Sequence, residues 1–263
     1  MTERLIEGLP DDTQKLLQTY VKEVKGVFGE QLEGMLLYGS AVRGEFLPGR
    51  SNLNILLLVS SYDSAVLKKY SALHRRWSKE QIVVPLFLME EELRTSAAVF
   101  PLEFLEIQEQ HRVLGGRDPF IGFHVKTDRL RETVVQGLMS HLLHLRQRYV
   151  EGGGSDDATT ILVPLSITSI LPLLRGVQRL LGRPALSHSD AVIKDVSEQL
   201  KLDLQGLLDG LLLKRGQISP GLTKYLVSLT GIYKPRRCSL TQSSNCRSRG
   251  SDDEDRQPSP HYS

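Results

Sequence analysis

The residues with the clearest chemical potential lie between Leu36 and Val59, in the stretch LLYGSAVRGEFLPGRSNLNILLLV. An apolar run delivers Gly39–Ser40, a short loop carries Arg43, Gly44 and Arg50, and Ser51, Asn52 and Asn54 open a second apolar run. Glycine at such a turn lets the backbone come close to a phosphate, and successive N–H groups there offer donors to its oxygens. Arg43 and Arg50 would add positive charge; the plainer reading makes them solvated loop residues, with Ser40 an ordinary helix cap.

Other constellations are weaker. His141 and His144 stand three apart on a helical pattern, but no Asp, Glu or Cys completes a metal set on that face, so a bundle-edge role is expected. His74–Arg75–Arg76–Trp77 reads as the cationic end of a helix with a buried tryptophan rather than a base-stacking patch. Phe100–Leu105 is apolar enough for an interface, with core packing the alternative. No Gly-x-Gly-x-x-Gly, P-loop or Gly-x-Ser-x-Gly motif occurs.

These residues need elements to hold them. The chain has 263 residues, 40% hydrophobic and 24% charged, with a net charge of +2. That is globular composition, large enough to bury a core unaided, with no overall field directed at nucleic acid or membrane. There is no uncharged apolar run of membrane-spanning length, the N-terminus has no secretory pattern, and both cysteines, Cys238 and Cys246, lie near the C-terminus. A cytoplasmic location and no membrane partner are the resulting expectations.

From residue 1 to about 119 strands and helices alternate. A helix follows Asp11–Asp12 and ends at Gly29. Strands are expected at Met35–Tyr38, Ile55–Val59 and Ile82–Leu88, with helices at Ser64–Trp77 and Glu90–Val99. Leu102–Leu114 fits a strand or a helix. Residues 120–234 read as a helical bundle: a long helix bears Leu130, Val134, Leu138, Leu142, Leu145 and Tyr149 on one stripe, and others are expected near 158–181, 189–201, 203–214 and 219–230. Residues 235–263, rich in serine and charge with one large aliphatic residue, read as a disordered tail.

The ordered set Gly39, Ser40, Arg43, Gly44 and Ser51 before an apolar strand resembles the polymerase-beta-like nucleotidyltransferases, in particular the small type related to kanamycin nucleotidyltransferase. The resemblance implies a small mixed sheet in an α/β (α+β) nucleotidyltransferase-like domain, followed by an all-α bundle similar to the HEPN fold. It implies nucleotide binding at Gly39, Ser40, Arg43 and Ser51, and a homodimer. In the family, Ser-Asp-x-Asp supplies two carboxylates that hold Mg²⁺, and the metals bridge phosphates and align the attacking hydroxyl. Here Asn52 and Asn54 occupy those positions, and the 82–88 strand has no third carboxylate. Asparagine offers a neutral oxygen, so no metal or other cofactor is expected. Some HEPN proteins pair Arg and His as a ribonuclease; Arg183 and His188 have such a spacing, but Pro184 interrupts them and Arg183 reads better as a helix-end residue.

The expectation is therefore a catalytically inactive member of this group that binds a nucleoside triphosphate or a protein partner. One alternative is an active enzyme, transferring a nucleoside monophosphate to a hydroxyl, with Mg²⁺ charge supplied by Glu90, Glu91 or Glu103. Another is a toxin–antitoxin-type interaction protein using the fold as a scaffold.

Overall fold

The computed structural model describes residues 6, 8–153 and 156–217; the helix expected at 219–230 and the tail from 235 lie outside these residues. Two acidic residues at its first turn and Lys25 in its last suit the dipole of helix α1, Asp11–Phe28, which ends at Gly29 with φ 54°. Its buried stripe of Leu17, Tyr20, Val21, Val24 and Phe28 faces the sheet.

Four strands form one mixed sheet. Strand β1, Leu32–Tyr38, is antiparallel to β2, Asn54–Val59, with Tyr38 opposite Asn54. Strand β3, Leu86–Leu88, runs parallel to β2, and β4, His111–Gly116, runs antiparallel to β1, giving the order β3-β2-β1-β4. The central strands are continuously apolar over Met35–Leu37 and Ile55–Val59 because both faces are covered there. Met35, Leu37, Ile55 and Leu57 join the core under α1 and helix α2, Ser64–Trp77. Leu36, Leu56 and Leu58 point into a second core shared with the remaining helices. The twofold alternation of a strand thus feeds two cores.

Two expectations need correction. The strand expected over Ile82–Leu88 shrinks to Leu86–Leu88, with only an isolated bridge at Ile82. Pro85 has no N–H to give a ladder, and Val84 is largely exposed. The ambiguous stretch from Leu102 is both things in turn: helix α3, Glu90–Val99, is followed by α4, Pro101–Glu109, and β4 starts at His111. Proline at the first position of α4 suits a helix start, and core packing claims Leu102, Phe104 and Leu105 while Phe100 stays exposed.

The C-terminal part is helical: α5 Leu130–Glu151, α6 Asp156–Leu180, α7 Ser189–Leu200 and α8 Gln205–Lys214. The predicted α5 stripe is buried from Leu130 to Leu145. α5 and α6 pack at glycine distance. A β-carbon on Gly176 would stand 2.5 Å from Val134 Cγ2, and one on Gly137 would fall inside Leu173. Ile161–Leu180 is long and apolar enough to cross a bilayer, but most of it is buried within the protein. Its last turns also carry Arg175 and Arg179, both ion-paired to α4.

Candidate functional site

At the end of β1 the chain turns at Gly39, whose φ of 85° suits glycine, into a single 3-10 turn, Gly39–Ala41. The β1–β2 register sets Asn54 against this turn. A β-carbon on Gly39 would lie 2.7 Å from Asn54 Nδ2. The loop between them is closed by Ser51: its hydroxyl accepts the Leu47 N–H at 3.0 Å, its own N–H reaches the Leu47 carbonyl, and its carbonyl takes Gln81 Nε2 at 2.8 Å. Ser51 is buried, so its clearest task is to fix where Asn52 and Asn54 stand.

Ser40, Arg43, Ser51, Asn52 and Asn54 all line one cavity of about 1110 Å³, walled on the far side by α5, α6 and α8. The turn residues and the asparagines singled out from sequence are therefore brought together. Its charged lining, among the described residues, is Arg43, Arg50, Arg148, Arg175, Lys214 and Arg215 against a single carboxylate, Glu45.

Arg43, Arg50, Arg175 and Arg215 are held rather than loose. Arg43 is not the solvated loop charge of the plainer reading, whereas Arg50 is exposed as that reading expects. The Arg43 side chain is 14% exposed and 3.6 Å from Glu106, and its Nε has no hydrogen-bond partner among the described residues. Burial lowers its pKa, and the charge of Arg175 adds to the effect. Arg50 donates to the carbonyl of Lys214 at 3.2 Å, capping the end of α8. Arg175, 3% exposed, donates to the Leu186 and Ser187 carbonyls and to Glu106. Burial also lowers Lys214, with the charges of Arg43, Arg215 and Arg175 acting in the same sense and Glu45 against it.

The one lining carboxylate is already engaged. Glu45 accepts the Ser189 N–H at 2.8 Å and its hydroxyl at 2.7 Å, at the start of α7, and pairs with Arg215 at 3.3 Å. These contacts tie the loop after β1 to the helical part. Sequence reading missed Glu45, Glu106, Arg175, Lys214 and Arg215, because their partners are 69 to 170 residues away and no local spacing marks them.

None of the acidic residues considered as replacement metal ligands lines the cavity. Glu90 pairs with Arg94 and Arg117, which hold its carboxyl below the usual range. Glu91 lies on the exposed side of α3. Glu103 sits near Tyr38, where its charge adds to burial in raising the phenol's pKa. Strand β4, HRVLGG, brings no carboxylate either. Among the described residues no group of three His, Cys, Asp or Glu is placed to hold a metal ion. The donor set does not fit Mg²⁺: two neutral amides and one carboxylate committed to a serine and an arginine.

The remaining candidates separate. His141 Nε2 is 2.7 Å from the Ser166 hydroxyl and His144 Nδ1 3.3 Å from that of Ser140, and all four residues line the cavity on its helical wall. Arg183 pairs with Asp195 at 2.7 Å, and its N–H closes the end of α6 on the Gln178 carbonyl, as a helix-end residue should. Trp77 is buried and donates to Glu23, which also binds Arg76, so that cluster is a helix end.

A Gly-Ser turn between two antiparallel strands, a mixed four-stranded sheet and a helical C-terminal part together make the nucleotidyltransferase fold. A solved structure of that fold, spectinomycin adenyltransferase AAD(9) from Enterococcus faecialis, a nucleotidyltransferase of the kanamycin nucleotidyltransferase type, superimposes with a TM-score of 0.53. It is 14% identical, over 83% of this chain and 96% of that one, and was solved with ATP and spectinomycin. No protein-family model and no curated protein matches the chain.

Proposed function

We propose that this protein keeps the nucleotidyltransferase fold as a nucleotide-binding module without transfer chemistry. The observation that carries this reading is the charge of the cavity around Asn52 and Asn54. In a two-metal transferase, carboxylates gather cations that in turn hold the triphosphate. Here the protein itself supplies the cations, and the positions that would hold metal are neutral amides.

A nucleoside triphosphate fits this arrangement directly. The Gly39–Ser40 turn reaches the cavity through Ser40, which would offer donors, while Arg43, Arg175, Lys214 and Arg215 would supply charge-assisted bonds to phosphate oxygens. Ser51 sets the loop. That the similar AAD(9) structure contains ATP supports a nucleotide as occupant. With no carboxylate among the described lining residues free to bind metal or take a proton from an acceptor hydroxyl, the bound nucleotide would stay intact.

Calorimetric titration with ATP, GTP, CTP and UTP, each in Mg²⁺ and in EDTA, tests the reading. Binding in EDTA at least as tight as in Mg²⁺, with no release of pyrophosphate, is expected. A requirement for Mg²⁺ would return the active enzyme to the front, and absence of binding at millimolar nucleotide would favour the interaction scaffold.

A further inference from the structure

We infer that the α5 wall of the cavity is a second anion subsite, built to take a phosphomonoester group beyond the triphosphate, so that whatever binds beside the nucleotide is acidic. This rests on the nucleotide reading above for the first ligand, but on different residues.

His141, His144 and Arg148 recur three and four residues apart on α5, which places them on one side of the helix, and all three line the cavity. They act on one another: after burial, the charges of Arg148 and His144 are what lower His141, to about 4. The imidazole at 141 is therefore neutral, hydrogen-bonded to Ser166, and Arg148 brings a permanent charge to this wall. Unlike Arg43, Arg175 and Arg215, Arg148 has no ion pair with a described residue. Glu45, the cavity's one carboxylate among the described lining residues, is committed on the opposite side to Ser189 and Arg215.

A polycationic ligand would meet repulsion on both sides of such a cavity, with no acid free to answer it among the described residues. A phosphomonoester instead finds a guanidinium with no ion pair among the described residues, the hydroxyls of Ser140 and Ser166 nearby, and imidazole groups able to donate. There is room: about 1110 Å³ exceeds the roughly 300–1,000 Å³ of a pocket for one drug-sized ligand. The phosphate could be carried by a separate molecule or by the ribose end of the nucleotide itself. The recognition chemistry is the same.

The test uses the full chain saturated with ATP and titrated with inorganic phosphate, in the wild type and in Arg148→Ala and Arg148→Lys. Phosphate should bind beside ATP, about tenfold more weakly in Arg148→Ala and with part of the loss recovered in Arg148→Lys, while ATP affinity stays within about twofold. A tenfold loss is what one charge-assisted contact of about 1.4 kcal/mol gives. Adenosine 3′,5′-bisphosphate against 5′-AMP separates the sources: an Arg148-dependent gain from the 3′-phosphate assigns the group to the nucleotide, and no gain assigns it to a second molecule. Phosphate binding that is absent, or indifferent to Arg148, while ATP still binds would overturn the inference. If ATP fails to bind but phosphate binding to the free protein still depends on Arg148, the subsite stands and the nucleotide reading falls. Arg148 is exposed, so its variants should keep the fold, which a thermal melt verifies.

Discussion

Asn54 packs its amide against Gly39 so closely that a β-carbon there would sit 2.7 Å from Nδ2. The Gly39–Ser40 turn and Asn54 are thus one unit: the strand register holds them this close only because residue 39 has no side chain, and the residue it leans on is an amide.

Gly39→Ala should therefore be costly twice over. The φ of 85° strains any L-residue, and the methyl meets Asn54. A loss of about 1–3 kcal/mol in urea unfolding is expected, with ATP binding falling at least tenfold. Gly44→Ala, at φ 73° but with open space around it, should cost the backbone strain alone.

Glu106 is the hub between α4, the Arg43 loop and α6. Its carboxylate meets Arg43, Arg175 and Arg179, at 3.6, 3.2 and 2.8 Å. Removing it leaves three guanidinium groups with little solvent and less charge to balance them. Glu106→Ala should lower stability by about 3–5 kcal/mol, measured by chemical denaturation. Glu106→Gln should fall between, since it keeps acceptor oxygen but not charge.

Stability should also depend on His141 in acid. Burial lowers its folded pKa to about 4 from an ordinary 6.5, so between these values the unfolded chain takes up a proton that the native protein refuses. The contribution is present in full above pH 6.5, declines as pH falls toward 4, and changes no further below that; its size is about 3 kcal/mol. Urea midpoints of wild type and His141→Gln over pH 4–7 should show a steeper acid decline in the wild type. Parallel curves would mean that His141 titrates normally.

Patterns within one element were legible in the sequence. The α5 stripe, the bounds of α2 and α3 and most of the two central strands follow from pattern alone, because burial on one side of a helix leaves a periodic mark and burial on both sides of a strand a continuous apolar run. β1 begins at Leu32, ahead of the expected Met35, a start hidden because Glu33 and Gly34 interrupt that run. Strand β3 was overestimated because apolar content hides what Pro85 does to a ladder, and β4 was obscured by running directly out of α4. At the site, Gly39, Ser40, Arg43, Ser51, Asn52 and Asn54 could be read because they fall within sixteen residues of one another. The electropositive wall could not. Arg175, Lys214 and Arg215 look like ordinary helix-surface charges until the fold folds α6 and α8 over the turn.

The central claim is that the protein's own cations do what metal does in an active transferase, and the asparagines are where it is most directly tested. ATP affinity should be measured in Mg²⁺ and in EDTA for the wild type and for the double variant Asn52→Asp/Asn54→Asp. The wild type should bind equally well or better in EDTA. The double variant, with two carboxylates placed among those cations, should bind weakly in EDTA and recover at least tenfold in Mg²⁺. A wild type that binds ATP only with Mg²⁺ would contradict the account, because some carboxylate would then be holding metal at a site whose described lining residues leave none to spare.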